Sequence, residues 1–148
     1  MAEANTPNRE FLAGTVTIGP EAYVSGEYAK AERDRLWRTT WLQAGRAEDI
    51  PAVGNYITYE IGTDSVIIVR SGEDEIRAFH NVCPHRGRRL IDTPAGKRNA
   101  MGQKTNLICG FHGWSFDLKG SCTFIQHKDD WQGSLSDEST SLGPVRVD

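Results

Sequence analysis

Two short stretches constrain this chain more than anything else in it: Cys83-Pro84-His85-Arg86-Gly87 and Cys109-Gly110-Phe111-His112-Gly113-Trp114. Each sets a thiol beside an imidazole and then turns on a glycine. The chain holds only three cysteines and four histidines, so these two pairs use most of its soft and borderline metal donors. Between His85 and Cys109 lie 23 residues, giving the pattern C-x-H-x23-C-x2-H. Any fold the chain adopts has to bring the two stretches side by side for them to act together.

Two metal centres accept two thiolates and two imidazoles. Zinc takes such a set in a tetrahedron, but its usual finger groups cysteine with cysteine and histidine with histidine, with a helix carrying the histidines. Here each loop holds one of each, and the surrounding sequence reads as strand. A Rieske-type [2Fe–2S] cluster accounts for the mixed pairing, because two thiolates hold one iron and two imidazoles the other. On that reading Cys83 and Cys109 meet at an inner iron, and His85 and His112 reach an outer one. His80, on a strand before the first loop, and His127, in a polar segment, lack ligand spacing. Cys122 follows a turn on a strand and reads as a small buried hydrophobe.

The rest of the chain suits a β scaffold. The runs WLQAG, YITYEIG, SVIIVR, EIRAFHNV, NLICGF, WSFDL and CTFIQ are short and rich in β-formers. Turn sequences such as PAVGN, GTD, SGEDE, PAGKRN and LKGS punctuate them. An all-β fold of stacked antiparallel sheets follows, with one N-terminal helix. Residues 1–20 read as a flexible arm and 21–40 as a helical lead-in. Ser25 is placed to cap a single amphipathic helix over Ser25–Arg38. The segment 92–106 between the loops is expected to form a surface turn.

Composition closes off other classes. A 148-residue chain can bury a core without crosslinks, and three cysteines cannot all pair. A net charge of −3 suggests neither nucleic acid nor a membrane surface as partner. No apolar run reaches transmembrane length and the N-terminus lacks a secretory pattern, so a cytoplasmic location is expected. Charge is nonetheless uneven. Between Cys83 and His112 stand Arg86, Arg88, Arg89, Lys97, Arg98 and Lys104 against the single acid Asp92, a net +5. Such a patch is either a solvated arginine-rich loop or a docking face for an acidic electron donor.

The motif pair CPHRG…CGFHGW resembles the Rieske family, and within it the N-terminal cluster domain of aromatic-ring-hydroxylating (Rieske non-haem iron) oxygenase α-subunits. The resemblance runs from about Trp41 to the C-terminus, so 41–148 is expected to be the Rieske domain. It implies a [2Fe–2S] cluster held by Cys83, His85, Cys109 and His112. It places Pro84, Arg86, Gly87, Gly110, Gly113 and Trp114 immediately around that cluster. Trp114 reads as a core aromatic beside the site, and the glycines as points where backbone N–H groups approach sulfur.

The resemblance further implies that electrons arrive from a ferredoxin or reductase. They pass to a mononuclear Fe(II), held by two histidines and a carboxylate in a following catalytic domain, of the same or a neighbouring α-subunit in a trimer. No such triad is found in this chain, so that domain is expected to be absent and the chain to transfer electrons without oxidising a substrate. A free-standing Rieske ferredoxin is the alternative. Arg88 and Phe111 stand where high-potential Rieske proteins carry a disulfide, and Trp114 where they carry a serine. The potential is therefore expected in the lower part of the Rieske range of roughly −150 to +300 mV.

Overall fold

The computed structural model describes residues 18–148; the expected arm over 1–20 lies, as far as residue 17, outside them. The chain divides into two units, Met1–Leu42 and Gln43–Asp148. No helix among the described residues is long and apolar enough to cross a membrane.

In the first unit the expected helix from Ser25 is present, and a separate helical turn precedes it. Helix α1 spans Glu21–Val24 and α2 spans Gly26–Glu32, with Ser25 extended between them (φ −84°, ψ 124°). Ser25 does cap α2, its Oγ accepting from the Tyr28 N–H at 3.2 Å. A capping residue needs extended backbone, so the turn before it cannot continue into α2. Beyond Glu32 the helix widens into a π turn over Arg33–Trp37, where the Arg38 N–H reaches back to the Arg33 carbonyl at 3.2 Å.

The second unit is built on two antiparallel sheets. Strands β1 (Asn55–Ile61), β2 (Asp64–Gly72) and β3 (Glu75–His80) form a meander. Gly62, at φ +57°, opens the two-residue link between β1 and β2, a position that favours glycine. An edge strand β4 (Met101–Gln103) flanks β1, and β8 (Pro144–Val145) flanks β3, giving the order β4-β1-β2-β3-β8. The smaller sheet comprises β5 (Leu107–Ile108), β6 (Ser115–Phe116) and β7 (Cys122–Phe124).

Both faces of the meander are covered, and strand alternation sorts its side chains between them. Tyr56, Ile67, Val69 and Phe79 enter the larger core with Leu107, Phe116, Trp114, Cys83 and Cys109. Their neighbours Ile57, Ile68 and Ala78 pack on the opposite face around Ile50. The pairs Tyr56↔Val69 and Ile67↔Phe79 therefore tie the large sheet to the small one, and Ile57↔Ile68 closes the back.

Three expectations about elements need correction. WLQAG is not a strand: residues 41–46 have no regular structure and lead into a 3-10 turn at Ala47–Asp49, where Asp49 Oδ2 accepts from the Arg46 N–H. The segment 92–106 is only partly a turn. After the bend closed by Lys97 N–H to the Pro94 carbonyl, it becomes β4. Buried Thr58 requires that pairing, because its N–H donates to the Ala100 carbonyl and its Oγ1 accepts from the Ala100 N–H at 2.7 Å. The third concerns helix: a short α3 (Asp137–Thr140) and a 3-10 turn at Lys128–Trp131 lie late in the chain, so helix is not confined to the N-terminus.

Gly120, in the link between β6 and β7, comes up against Phe79 of β3. It is buried at φ +88°, and a Cβ there would stand 2.4 Å from the Phe79 ring. Gly120→Ala combines left-handed strain with overpacking and should cost about 2–4 kcal/mol. A fall in the urea midpoint at unchanged m-value would show it.

Candidate metal centre

The two Cys/His stretches fold into the same turn twice. In the first, the Cys83 N–H donates to the Arg88 carbonyl at 2.8 Å and the Gly87 N–H to the Cys83 carbonyl at 2.9 Å. In the second, the Cys109 N–H donates to the Trp114 carbonyl at 2.8 Å and the Gly113 N–H to the Cys109 carbonyl at 3.1 Å. The fourth residue after each cysteine is a glycine in the left-handed region, Gly87 at φ +71° and Gly113 at +70°. A side chain with a Cβ is disfavoured there. Gly110 has no such backbone demand, and a Cβ on it would meet nothing within 4 Å. The second turn closes the β5–β6 hairpin, whose strands pair Leu107↔Phe116 and Ile108↔Ser115. The first hangs from the end of β3.

Burial separates the donors into two pairs. Cys83 and Cys109 are 1% and 3% exposed and belong to the main core. His85 and His112 are half-buried, their ring centroids 4.6 Å apart. Thiols inside and imidazoles outside is the order a mixed-ligand two-iron centre demands. Among the described residues no group of three or more His, Cys, Asp or Glu side chains is placed to hold a metal ion; what the fold brings together is thiol with thiol and imidazole with imidazole.

The chemistry of the four side chains fits a metal. Burial pushes the Cys83 thiol up to about 11, and its contact with the Cys109 thiol adds to the rise. Opposing this, the backbone N–H groups of His85 and Arg86 point at the Cys83 sulfur and favour the thiolate. A metal ion replaces the proton and removes the penalty. Burial also pushes His85 down, helped by the nearby His112 and Arg86, which favours the neutral imidazole that ligates metal. His112 Nδ1 is buried with no hydrogen-bond partner. A lone nitrogen of that kind is costly unless something outside the polypeptide satisfies it.

The neighbouring residues sort themselves by exposure. Trp114 is buried and lies parallel to His85, ring centroids 4.9 Å apart at 4°. Pro84 and Arg86 are exposed. Phe111 is 59% exposed and rests against His112 at 3.9 Å. His80 packs beside Gly143, and His127 meets the Gln126 amide. Cys122 lies on β7 as expected but is half-buried rather than fully enclosed.

Two residues escaped the sequence reading. Asn81, buried at the root of the first turn, uses its whole amide. Oδ1 accepts from the Leu90 and Ile91 N–H groups, each at 3.0 Å, while Nδ2 donates to the Ile91 carbonyl at 2.7 Å and to Ser65 Oγ at 3.0 Å. It ties the chain after the Cys83 turn back to β3. Trp131 lies edge-on to His85 at 5.6 Å and to Trp114 at 6.0 Å. Asn81 sits two positions before a motif cysteine, which is a faint signal; Trp131 has none in its own neighbourhood.

Asn81→Ala would leave three buried backbone groups unpaired, a loss of about 2–4 kcal/mol. We expect the variant to bind less iron per chain and to unfold at lower urea, read by iron analysis and circular dichroism. Asn81→Asp, which still accepts from both N–H groups but cannot donate to the Ile91 carbonyl, should fall between it and the parent.

Comparison with known proteins agrees with this geometry. The Rieske [2Fe-2S] domain profile matches residues 40–134. The chain is 36% identical over 141 residues to the large oxygenase component of the naphthalene 1,2-dioxygenase system of Pseudomonas putida, covering 93% of this chain and 30% of that one. It is 30% identical over 135 residues to the hydroxylase subunit alpha of methanesulfonate monooxygenase from Methylosulfonomonas methylovora, covering 88% and 33%. Among solved structures, the apo form of the quaternary ammonium Rieske monooxygenase CntA superposes with a TM-score of 0.77 at 28% identity, covering 89% of this chain and 36% of that one. The chain thus spans about a third of the length of these relatives. On its two matched turns and its match across most of its length, the chain belongs to the Rieske [2Fe-2S] domain family.

Proposed function

We propose that residues 41–148 are the electron-transfer domain of a Rieske oxygenase α-subunit, preceded by a helical lead-in at 21–40. Cys83 and Cys109 hold the inner iron; His85 and His112 hold the outer. The observation that carries this ligand set is the partnerless, buried His112 Nδ1 beside His85, above a pair of touching, desolvated thiols. A [2Fe–2S] cluster bound there supplies one-electron chemistry. The chain's own part is to bury the thiols, aim the His85 and Arg86 N–H groups at sulfur, and keep both imidazoles near the surface. Exposed Pro84 borders the site, while Gly110 leaves the hairpin tip without a side chain.

The match of this chain to roughly the first third of much longer oxygenase components supports a catalytic domain with a mononuclear iron as the electron acceptor. In a solved quaternary ammonium Rieske monooxygenase the electron transfer is inter-subunit. By analogy the acceptor here belongs to a neighbouring α-subunit in a trimer. The relatives' names span a sulfonate, quaternary ammonium compounds and an aromatic hydrocarbon, so the choice of substrate falls outside what this domain specifies.

Reduced protein should give a rhombic EPR signal with the low average g-value of mixed Cys/His ligation. Its midpoint should lie below zero on the scale whose Rieske range runs from about −150 to +300 mV. Cys83→Ser and His112→Ala should each abolish the signal. A colourless protein, or one carrying zinc, would overturn the assignment.

The donor side is a ferredoxin or reductase with an acidic surface. All six basic side chains between the motifs are exposed. Arg88 is paired with Asp92 and Arg89 with Glu60 at 3.1 Å, but Arg86, Lys97, Arg98 and Lys104 carry no ion pair among the described residues. At low ionic strength, electron-transfer rates from an acidic ferredoxin should fall about tenfold in Arg86→Glu, and the difference should vanish as salt rises. Stopped-flow reduction at two salt concentrations measures it.

A further inference from the structure

We propose that Trp131 is a positioning residue for the metal centre: it fixes the His85 imidazole against Trp114 and keeps water from that side, and so holds the reduction potential down. The inference rests on the ligand set given under Proposed function.

His85 is enclosed on two sides by aromatic surface. Trp114 covers its face in parallel, and the Trp131 ring stands nearly perpendicular, at 75° to His85 and 72° to Trp114. One indole edge thus spans both partners of the stack. His112 has different company, lying against the exposed ring of Phe111. The two imidazoles therefore have different aromatic neighbours.

The backbone that delivers Trp131 is unusual. Among the described residues only two non-glycine positions adopt positive φ, His127 at +53° and Gln132 at +50°. They stand on either side of the 3-10 turn Lys128–Trp131. Left-handed geometry is unfavourable for residues with a Cβ and persists only when the surroundings impose it. Here the Ser134 N–H and Oγ both donate to the Trp131 carbonyl, at 2.9 and 2.7 Å. Ile125 and Leu135 anchor the two ends of the segment on the main core. Two chain reversals around a four-residue turn set the Trp131 indole against both the main core and the His85 imidazole.

The consequence for potential follows from charge. A cluster with two thiolates and two neutral imidazoles is formally neutral when oxidised and singly negative after taking one electron. Water at the imidazole stabilises the anionic form and raises the potential; an apolar indole edge in its place lowers it.

The test uses the full chain with its cluster, as parent, Trp131→Ala, Trp131→Phe and Leu135→Ala. Midpoints come from a mediated redox titration followed by EPR, and water access from deuterium modulation in pulsed EPR after exchange into D2O. Trp131→Ala should keep the mixed-ligand g-values. At the parent's midpoint it should show a several-fold higher ratio of reduced to oxidised cluster, with deeper deuterium modulation. Trp131→Phe should stay near the parent. Leu135→Ala, which loosens one anchor of the same segment while keeping the indole, should lower thermal stability and move the midpoint the same way by less.

An unshifted Trp131→Ala, or a Leu135→Ala that shifts the midpoint further than Trp131→Ala does, would overturn the proposal. Should Trp131→Ala fail to hold iron, Trp131→Leu takes its place under the same two criteria. A parent chain with no mixed-ligand signal would instead sink the ligand set itself, so the two failures are distinguishable.

Discussion

The second unit of this molecule depends on a pair of thiols buried where thiolates are least welcome. Cys83 and Cys109 are core residues, packed with Trp114, Phe116 and Leu107 as a hydrophobic side chain would be. Desolvation resists ionisation of Cys83, and the backbone N–H groups aimed at its sulfur only partly offset it. A bound metal ion resolves the conflict, because it stabilises the thiolate where water cannot reach. On the proposed ligand set, metal binding would be coupled to folding, since the thiols that would hold the cluster are also members of the main core.

The scaffold meets this demand by repetition. Two turns with the same hydrogen-bond closure and the same left-handed glycine present their cysteines inward. The histidine follows its cysteine by two residues in one turn and by three in the other, yet both imidazoles arrive at the surface side, 4.6 Å apart. The turns are anchored differently. The second is braced by its own hairpin, whereas the first depends on the Asn81 amide to bind the chain that leaves it. A single buried side chain thus does for one loop what a pair of strands does for the other.

Much of the scaffold was legible in advance because strand alternation and turn residues are local signals. YITYEIG, SVIIVR and EIRAFHNV became β1, β2 and β3, and their alternate residues divide between two cores as a doubly covered sheet requires. The errors share a cause. WLQAG has strand-forming residues but no partner strand. AMGQ, embedded in a turn-rich segment, became β4 because buried Thr58 needed Ala100 to satisfy it. Pairing partners distant in sequence decided both cases, and no local pattern reports them. The helix was legible as well, its Ser25 cap being a local signal, although the lead-in over 21–40 proves to be two helical pieces meeting at Ser25.

By itself the sequence determined the chemistry available: two thiols and two imidazoles in two glycine-ended loops, with a strand-rich frame around them. Spacing and residue type carry that information because donor chemistry belongs to the side chain alone. Only the tertiary structure decided that the thiols face inward and touch, that one His112 nitrogen is left without a partner, and that Asn81 and Trp131 lie against these two turns. Those are properties of burial and of contacts between distant segments, which exist only once the two sheets have closed on each other.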